Sequence, residues 1–252
     1  MLTEQRKQKI LALLKRDGRI VAKELAELFT ISEDTIRRDL RELAKLGLLQ
    51  RVHGGALPSS PAVADFVTRT EISHQQKIHI GRTAAQLIKS GQVVMIDGGT
   101  TAVQLVRHLP KDLSATIVTH SPSVAVELID HENIAVELIG GRLFKHSMVS
   151  IGARALESLA HIHADVFFMG VTGIHPDHGF TTGDLEEAYM KKALSRHAAE
   201  TVVMASDEKI GVASSYLVLP TAEISSVIID MQYPKQDVQW LADAGVNLIF
   251  SG

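Results

Sequence analysis

From residue 93 onward, short apolar β-rich runs alternate with helical stretches, and this alternation limits the fold more than any other feature. The runs are VVMIDGG, ATIVTHS, AVELIGG, DVFFMGVTG, TVVMASD, SSVIIDM and VNLIF. Strands that alternate with helices need crossover connections, which place successive strands parallel in one sheet. Because the runs are almost continuously apolar, we expect both faces of the sheet to be covered. The sequence therefore predicts an α/β domain with a mostly parallel sheet.

The first 57 residues show a different pattern, in which three helical segments precede a short pair of strands. Three apolar stripes at helical spacing define the helices: Ile10, Leu11 and Leu14; Leu25, Leu28 and Phe29; and Ile36, Leu40, Leu43 and Leu46. Ser32 is a natural N-cap for the third helix, and Gly47 is a natural stop. The run LLQRVHGGA then alternates as a strand would, and its glycine pair permits a tight turn. These features predict a winged helix-turn-helix, whose third helix enters the major groove.

Arginines on the third helix and in the predicted wing are candidates for contact with DNA. The planar fork of arginine can donate two hydrogen bonds to a guanine edge or to a phosphate. Residues 1–57 carry 12 Lys and Arg against 8 Asp and Glu, whereas the remainder carries 14 against 21. The alternative is that Arg37, Arg38 and Asp39 only form local ion pairs on a solvated face. The candidate DNA-binding residues are Ser32, Thr35, Arg37, Arg38, Arg41, Arg51, His53, Gly54 and Gly55.

Polar residues follow five of the predicted strands, at the sheet edge where open α/β sheets bind ligands. The segment DGGTT combines glycine amides, hydroxyls and a helix N-terminus, which suits a phosphate, although a plain glycine turn is the alternative. Among the polar residues after these strands, the acids can accept hydrogen bonds from sugar hydroxyl groups, and the lysines can pair with a phosphate. The candidate effector-binding residues are Asp97, Gly98, Gly99, Thr100, Thr101, His120, Gly140, Gly141, Gly170, Gly173, Asp184, Glu187, Lys191 and Lys209.

The remaining features concern domain boundaries, cofactors and location. The proline- and serine-containing stretch LPSSPAVADF is typical of a linker. We predict a DNA-binding domain at 1–57, a linker at 58–72 and a ligand-binding α/β domain at 73–252. The chain has no cysteine, and its 12 histidines show no metalloenzyme spacing, so we expect neither a metal nor a cofactor. Because no signal peptide and no run of roughly 20 apolar residues is present, we expect a cytoplasmic protein without membrane contact.

The stretch TIRRDLRELAKLGLLQRVHGGA resembles, nearly position for position, the N-terminal signature of the DeoR family of bacterial transcriptional regulators. The resemblance continues through DGGTT, VTHS, LIGG, GVTGI, GFTTGDLEEAYMKKAL and EKIG. It implies a winged helix-turn-helix fused to a sensor that is similar in fold to ribose-5-phosphate isomerase and CoA-transferase-like domains. It also implies a homodimer or homotetramer that binds a double-stranded DNA operator. Such a protein represses a carbohydrate-catabolism operon and is released from DNA by a phosphorylated sugar or polyol.

Three departures from the family pattern lie in the predicted pocket, and two other functions stay open. His120 stands where the family often has asparagine, Phe144 where it often has arginine, and SDEK replaces the usual aspartate-x-x-lysine. A lysine and two carboxylates beside a sugar phosphate would also allow proton transfer, as in an aldose–ketose isomerase. A third reading is a regulator whose sensor binds a protein or an unphosphorylated metabolite. The N-terminal helices favour a regulator over an enzyme.

Overall fold

The computed structural model describes residues 2–252, and its N-terminal part contains three helices and a three-stranded antiparallel sheet. The elements are α1 Thr3–Asp17, β1 Ile20–Val21, α2 Ala22–Phe29, α3 Glu33–Lys45, β2 Leu49–Val52 and β3 Gly55–Pro58. The Ser32 hydroxyl accepts from the amide of Thr35 at 3.3 Å, and Gly47 has a φ of 72°, so the predicted start and stop of α3 are confirmed. This arrangement is the predicted winged helix-turn-helix.

Two details of the predicted helical stripes are wrong. The side chains of Leu28 and Leu46 are 64% and 68% exposed, whereas Leu25 and Leu43 are buried. Leu28 and Leu46 each lie next to the end of a helix, where the chain turns away and the apolar side chain no longer faces the core. The two-residue strand β1, which pairs with β3, was not predicted, because two residues show no periodicity.

Seven strands, all from the runs predicted above, form one parallel sheet in the described chain. In spatial order they are β15 Asn247–Ser251, β14 Ser226–Asp230, β12 Ala198–Ala205, β9 Ala164–Gly170, β4 Val93–Ile96, β5 Ala115–Thr119 and β6 Ile134–Leu138. From β4 the chain builds outward to β6, and it then returns to the centre with β9 and builds outward to β15. The order therefore reverses between β4 and β9, and this is the point where such sheets bind ligands.

Helices cover both faces of the sheet and produce two separate apolar cores. The first core lies under α5 His74–Gln86, α6 Thr100–Arg107 and α7 Pro122–Glu127. The second core lies under α8 Ala153–Glu157, α9 Leu185–Arg196 and α10 Gln239–Asp243. Phe167 enters the second core and Phe168 the first, as period-two strand geometry requires. The fold class is confirmed, except that the edge strand β6 leaves its last four residues exposed.

Short elements at the carboxyl end of the sheet were not predicted. They are the hairpin β7 Arg142–Phe144 and β8 Val149–Ile151, and a small antiparallel sheet of β10 Gly173–His175, β11 Gly179–Thr182 and β13 Tyr216–Leu219. Between the N-terminal sheet and α5 lie a 3₁₀ turn, Pro61–Val63, and α4, Phe66–Glu71. Within residues 2–252, no helix is both long and apolar enough to span a bilayer.

Candidate DNA-reading surface and anion pocket

The outward side of α3 presents three arginines to solvent. Arg37, Arg38 and Arg41 are all exposed, and Thr35 is half-buried at the start of the same helix. Arg37 donates to Glu33 one turn earlier, with an Nη2–Oε1 distance of 2.7 Å. Arg38 and Arg41 have no salt-bridge partner within the described residues. The local ion pair considered above therefore exists at Arg37, while its two neighbours are free to meet an anion.

A buried ion pair fixes the inward side of α3 to α1. Arg6 donates twice to Asp39, with an Nη2–Oδ1 distance of 3.0 Å, and Asp39 is 1% exposed. Lys7 adds a second link, to Glu42 at 2.9 Å. Asp39 is thus not part of a solvated face, and it sets the position of the helix that carries the arginines.

The wing lies beside the same helix. Arg51, His53, Gly54 and Gly55 line a shallow concavity together with Arg37. Gly54 makes the turn with a φ of 78°. At Gly55 a Cβ would lie 1.9 Å from the carbonyl oxygen of Ile20, so only glycine allows β1 and β3 to come together. Five of the predicted DNA-binding residues therefore lie together: Arg37, Arg51, His53, Gly54 and Gly55.

A narrow pocket lies at the reversal point of the parallel sheet, with a free volume of about 30 Å³. Loops that follow β4, β9 and β12 and the first turn of α6 form one side of it. Helices α4, α5 and α9 contribute further residues, as do the 3₁₀ turn Pro61–Val63, the β7–β8 hairpin and β11. We call it the anion pocket. Its lining residues are Ala62, Arg69, Lys77, Gly98, Gly99, Thr100, Thr101, Ala102, Ser147, Gly170, Val171, Thr172, Thr182, Glu187, Lys191, Glu208 and Lys209.

Asp97 organises the floor of the anion pocket. Its fully buried carboxylate accepts from Lys191, from the His120 ring at 2.8 Å and from the Gly170 amide at 2.8 Å. Burial alone would raise the pKa of Asp97, but the ammonium of Lys191 and the imidazole of His120 hold this pKa well below its usual range. The carboxylate is therefore ionised and fixes the side chain of Lys191.

Four cationic side chains line the anion pocket: Arg69, Lys77, Lys191 and Lys209. Burial lowers the pKa of Lys77 to about 8 and that of Lys209 to about 8, because few acids compensate the lost solvation. The Nε and Nη2 atoms of Arg69 are buried and make no hydrogen bond within the described residues. Buried cationic donors without partners lose solvation free energy, and an entering anion would restore it.

The first turn of α6 and two acids complete the lining. Gly98, Gly99 and Thr100 lead into the helix, and the first amides of a helix have no carbonyl partner inside it. Glu187 is 5% exposed and makes no side-chain hydrogen bond among the described residues. Glu208 accepts from Ser73 at 2.6 Å and from Ser206. The pocket therefore combines anion-binding donors with a carboxylate that can accept from hydroxyl groups.

Comparison with known proteins identifies the family. A model described as the DeoR C-terminal sensor domain matches residues 72–231, and a DeoR-like helix-turn-helix domain model matches residues 6–61. The chain belongs to the DeoR family. It is therefore a DNA-binding transcriptional regulator, which confirms the prediction from its N-terminal signature and does not support the isomerase alternative.

Its relatives match over nearly their whole length. HTH-type transcriptional regulator GlpR of Haloferax volcanii is 34% identical, covering 99% of this chain and 98% of that protein. The Glycerol-3-phosphate regulon repressor of Escherichia coli is 30% identical over 98% of this chain and 99% of that one. A solved ribose 5-phosphate isomerase A from Methanocaldococcus jannaschii is 18% identical, covers 54% of each chain and has a TM-score of 0.41.

The structure brings together only part of the predicted effector site. Eight predicted residues line the anion pocket: Gly98, Gly99, Thr100, Thr101, Gly170, Glu187, Lys191 and Lys209. Asp97 and His120 lie beneath it. Asp184 is the N-cap of α9 and lines a neighbouring cleft together with Glu187, but it does not line the anion pocket. Gly140, Gly141 and Gly173 do not line the pocket.

Two of the three departures from the family pattern, His120 and SDEK, are explained by local contacts. His120 is fully buried between Asp97 and the carbonyl of Ser150, so its ring does not reach into the pocket. In SDEK, the Ser206 hydroxyl donates to Glu208, and Asp207 accepts from Gln76 of α5. Glu208 is therefore the acid that lines the pocket beside Lys209.

Sequence reasoning missed the pocket residues that come from helices ahead of the first sheet strand. Arg69 and Lys77 lie on α4 and α5, and the Lys77 ammonium donates to the Arg69 carbonyl at 2.5 Å. The two residues are eight positions apart in helices, so neither follows a predicted strand. Thr172, Thr182 and Glu208 stand inside the motifs quoted above, and a search for donors and acceptors at every strand end would have found them.

Proposed function

We propose that this regulator represses a carbohydrate-catabolism operon and leaves its operator when a phosphorylated sugar or polyol enters the anion pocket. The domain division at 1–57, 58–72 and 73–252 belongs to the same proposal. The observation that carries it is the convergence of Arg69, Lys77, Lys191 and Lys209 on the first turn of α6. Such a cluster favours a compact, multiply charged anion over a neutral ligand.

The acids of the anion pocket support a hydroxylated ligand rather than a bare anion. Glu187 is buried beside the cations, and its carboxylate oxygens are available to accept from hydroxyl groups. The name of the Glycerol-3-phosphate regulon repressor, a relative that this chain matches almost end to end, links a polyol phosphate to a protein of this kind. A ligand with its phosphate at the first turn of α6 and its hydroxyl groups near Glu187 would pair with both the cations and the acid of the pocket.

The test is release of operator DNA by sugar phosphates. Fluorescence anisotropy of labelled operator DNA is followed while phosphorylated sugars, phosphorylated polyols and their unphosphorylated counterparts are added. We expect release by at least one phosphorylated compound and none by its unphosphorylated partner. The variant Lys209→Ala should lose this response, whereas Lys89→Ala, which removes an exposed lysine outside the pocket, should keep it. A panel that leaves the anisotropy unchanged contradicts the proposal.

We also propose that Arg38 and Arg41 of α3 contact the operator, together with Ser32, Thr35, Arg37 and the wing residues Arg51, His53, Gly54 and Gly55. Support comes from the exposure of Arg37, Arg38, Arg41 and Arg51 and from the concavity that joins Arg37 to the wing. Replacement of Arg38 by Ala should weaken operator binding, and it should lower the salt slope by about 0.9 if the arginine contacts one phosphate. The control is Arg82→Ala, an exposed arginine outside the first 57 residues. An unchanged affinity and slope would remove Arg38 from the interface.

We further propose that the chain acts as a homodimer or homotetramer. Support comes from the edge strand β6, whose Val136 and Leu138 are 37% and 51% exposed, and from Ile129 nearby in sequence, which is 75% exposed. Exposed apolar side chains beside an unpaired strand edge favour association. Light scattering coupled to size exclusion should give a mass of two or four chains, and Leu138→Lys should reduce it.

A further inference from the structure

The segment that joins the wing to the sensor lies on the anion pocket itself. We call residues 59–69 the covering segment. Ala62 and Arg69 of this segment line the pocket, and Ser60 and Ala62 are only 4% and 3% exposed. The Ser60 hydroxyl accepts from the Ala62 amide at 3.2 Å and fixes the 3₁₀ turn Pro61–Val63. The segment is therefore a docked part of the pocket wall, although its proline and serine content is typical of a linker.

A small number of contacts hold the covering segment in place. His146 follows β7, and its ring Nε2 donates to the Val63 carbonyl at 2.9 Å. The backbone carbonyl of His146 accepts from the Phe66 amide at 2.8 Å. The Pro61–Val63 turn packs against the turn Asp207–Lys209, which carries Lys209. These contacts are local, whereas the pocket's other walls are strand ends and helices that pack on the sheet. The covering segment is therefore the wall whose displacement costs the least free energy.

The volume of the anion pocket requires such a movement. Its free volume of about 30 Å³ leaves room for only a few water molecules, whereas small-molecule sites usually offer several hundred Å³. A second cleft of about 290 Å³ lies on the other side of Ala62 and Arg69, and both residues line the two spaces. Ser147, Thr172 and Glu187 also line both spaces, so displacement of the covering segment would join them.

The covering segment is also closely tied to the wing. Strand β3 ends at Pro58, and the 3₁₀ turn begins at Pro61. Only two residues separate these positions, so the chain between them can span at most about 11 Å. A shift of the turn that opens the pocket is therefore passed on to the wing strand once this two-residue connection is fully extended.

We infer that the covering segment closes the anion pocket in the operator-binding state, and that a ligand enters only when this segment moves and displaces the wing. Pocket opening and wing displacement are then one movement, which explains how an anion can change DNA binding without contact with the DNA-binding domain. The inference rests on the proposed function only in the choice of ligand, a phosphorylated sugar or polyol.

A reversible crosslink tests the inference directly, because the chain has no cysteine of its own. A Cβ at Gly183 would lie 3.4 Å from Cγ1 of Val63, the atom whose place the sulfur of a cysteine at position 63 can take, so the two side chains are close enough to be joined. The double variant Val63→Cys/Gly183→Cys should therefore form one disulfide that holds the turn against the start of α9. The matched controls are the reduced double variant and the two single variants, which cannot form this bond.

In the oxidised variant we expect operator affinity within about twofold of the reduced form, and at least a tenfold loss of affinity for the sugar phosphate that is active on the wild type. Reduction should restore both binding and release. Equal ligand affinity in the two redox forms overturns the covering role but leaves the proposed function intact. If the reduced variant and the wild type bind no phosphorylated sugar or polyol, the proposed function fails and the inference fails with it.

A second variant tests the same movement without a crosslink. His146→Ala removes the donor to Val63, and His146→Gln keeps an N–H donor at that position. Loss of this contact should favour the open pocket, so the apparent affinity for the sugar phosphate should rise severalfold while operator affinity falls. The Gln variant should stay closer to the wild type. If His146→Ala changes neither affinity, the covering segment does not control the pocket.

Discussion

At the scale of single residues, the two buried lysines of the anion pocket make anion binding sensitive to pH. Burial lowers the pKa of Lys77 and of Lys209 to about 8 each, so both lose their charge as the pH rises through that value. A phosphate ester is already doubly charged above pH 7, because its second pKa is near 6. Above pH 8 the ligand therefore meets fewer positive charges, and binding must be accompanied by proton uptake.

We predict that affinity for the active sugar phosphate is highest near pH 7 and falls at least tenfold by pH 9.5. Calorimetry in buffers of different ionisation enthalpy should show proton uptake on binding at pH 8.5. Lys209→Arg is the matched control, because arginine stays charged throughout this range, and its affinity should fall less steeply. A wild-type affinity that is constant from pH 7 to 9.5 would contradict the assignment of these lysines.

Individual site residues were predictable where they follow a strand or lie in a motif of the family. Thr100 and Lys209 come from motifs at strand ends, and Lys191, which lies in α9, comes from the motif GFTTGDLEEAYMKKAL. Arg69 and Lys77 reach the same pocket from helices, and the position of those helices depends on packing between distant segments. No local pattern in the sequence records that packing, so the two cations could be found only in the structure.

At the scale of secondary-structure elements, the Arg6–Asp39 pair decides how firmly α3 is held. Asp39→Ala leaves the Arg6 guanidinium buried without a partner, and we predict a loss of about 3 kcal/mol in the unfolding free energy of the N-terminal domain. Urea unfolding followed by far-UV circular dichroism measures this loss. Glu33→Ala breaks only the solvent-exposed pair with Arg37 and should cost much less. Equal losses would show that the buried pair does not anchor α3.

The crossing of α5 over α6 depends on one glycine. A Cβ at Gly81 would lie 2.7 Å from the backbone carbon of Gln104, so Gly81→Ala must separate the two helices. We predict that this variant lowers the unfolding free energy of the sensor by about 1–3 kcal/mol, measured by chemical unfolding. Gly140→Ala is the control, because no atom lies within 4 Å of the new Cβ, and its effect should stay within about 0.5 kcal/mol.

Elements that repeat a pattern over several residues were predictable, and very short ones were not. The seven sheet strands and α3 follow from apolar runs, helical spacing and the Ser32 cap. Strands such as β7 and β10 have three residues each and are defined by their partners rather than by their own composition. The exposed face of β6 was also missed, because an apolar run does not show whether its strand lies at the edge of a sheet.

At the scale of the whole molecule, the proposed function makes operator binding and sugar-phosphate binding one linked equilibrium. If the sugar phosphate weakens operator binding by a given factor, the operator must weaken sugar-phosphate binding by the same factor. We predict equality of the two factors within experimental error. Calorimetric titration of the ligand with and without saturating operator gives one factor, and anisotropy with and without saturating ligand gives the other. Unequal factors would mean that the species that binds DNA is not the species that binds the ligand, for example because the two differ in their number of chains.

The strand order has a consequence for synthesis of the chain. Val94 of β4 pairs with Val166 of β9, so the centre of the sensor sheet cannot form until the ribosome has released both strands. The N-terminal helices and wing are complete by Pro58 and depend on contacts close in sequence, which form quickly. A nascent chain therefore folds its helix-turn-helix domain well before it can fold the sensor domain.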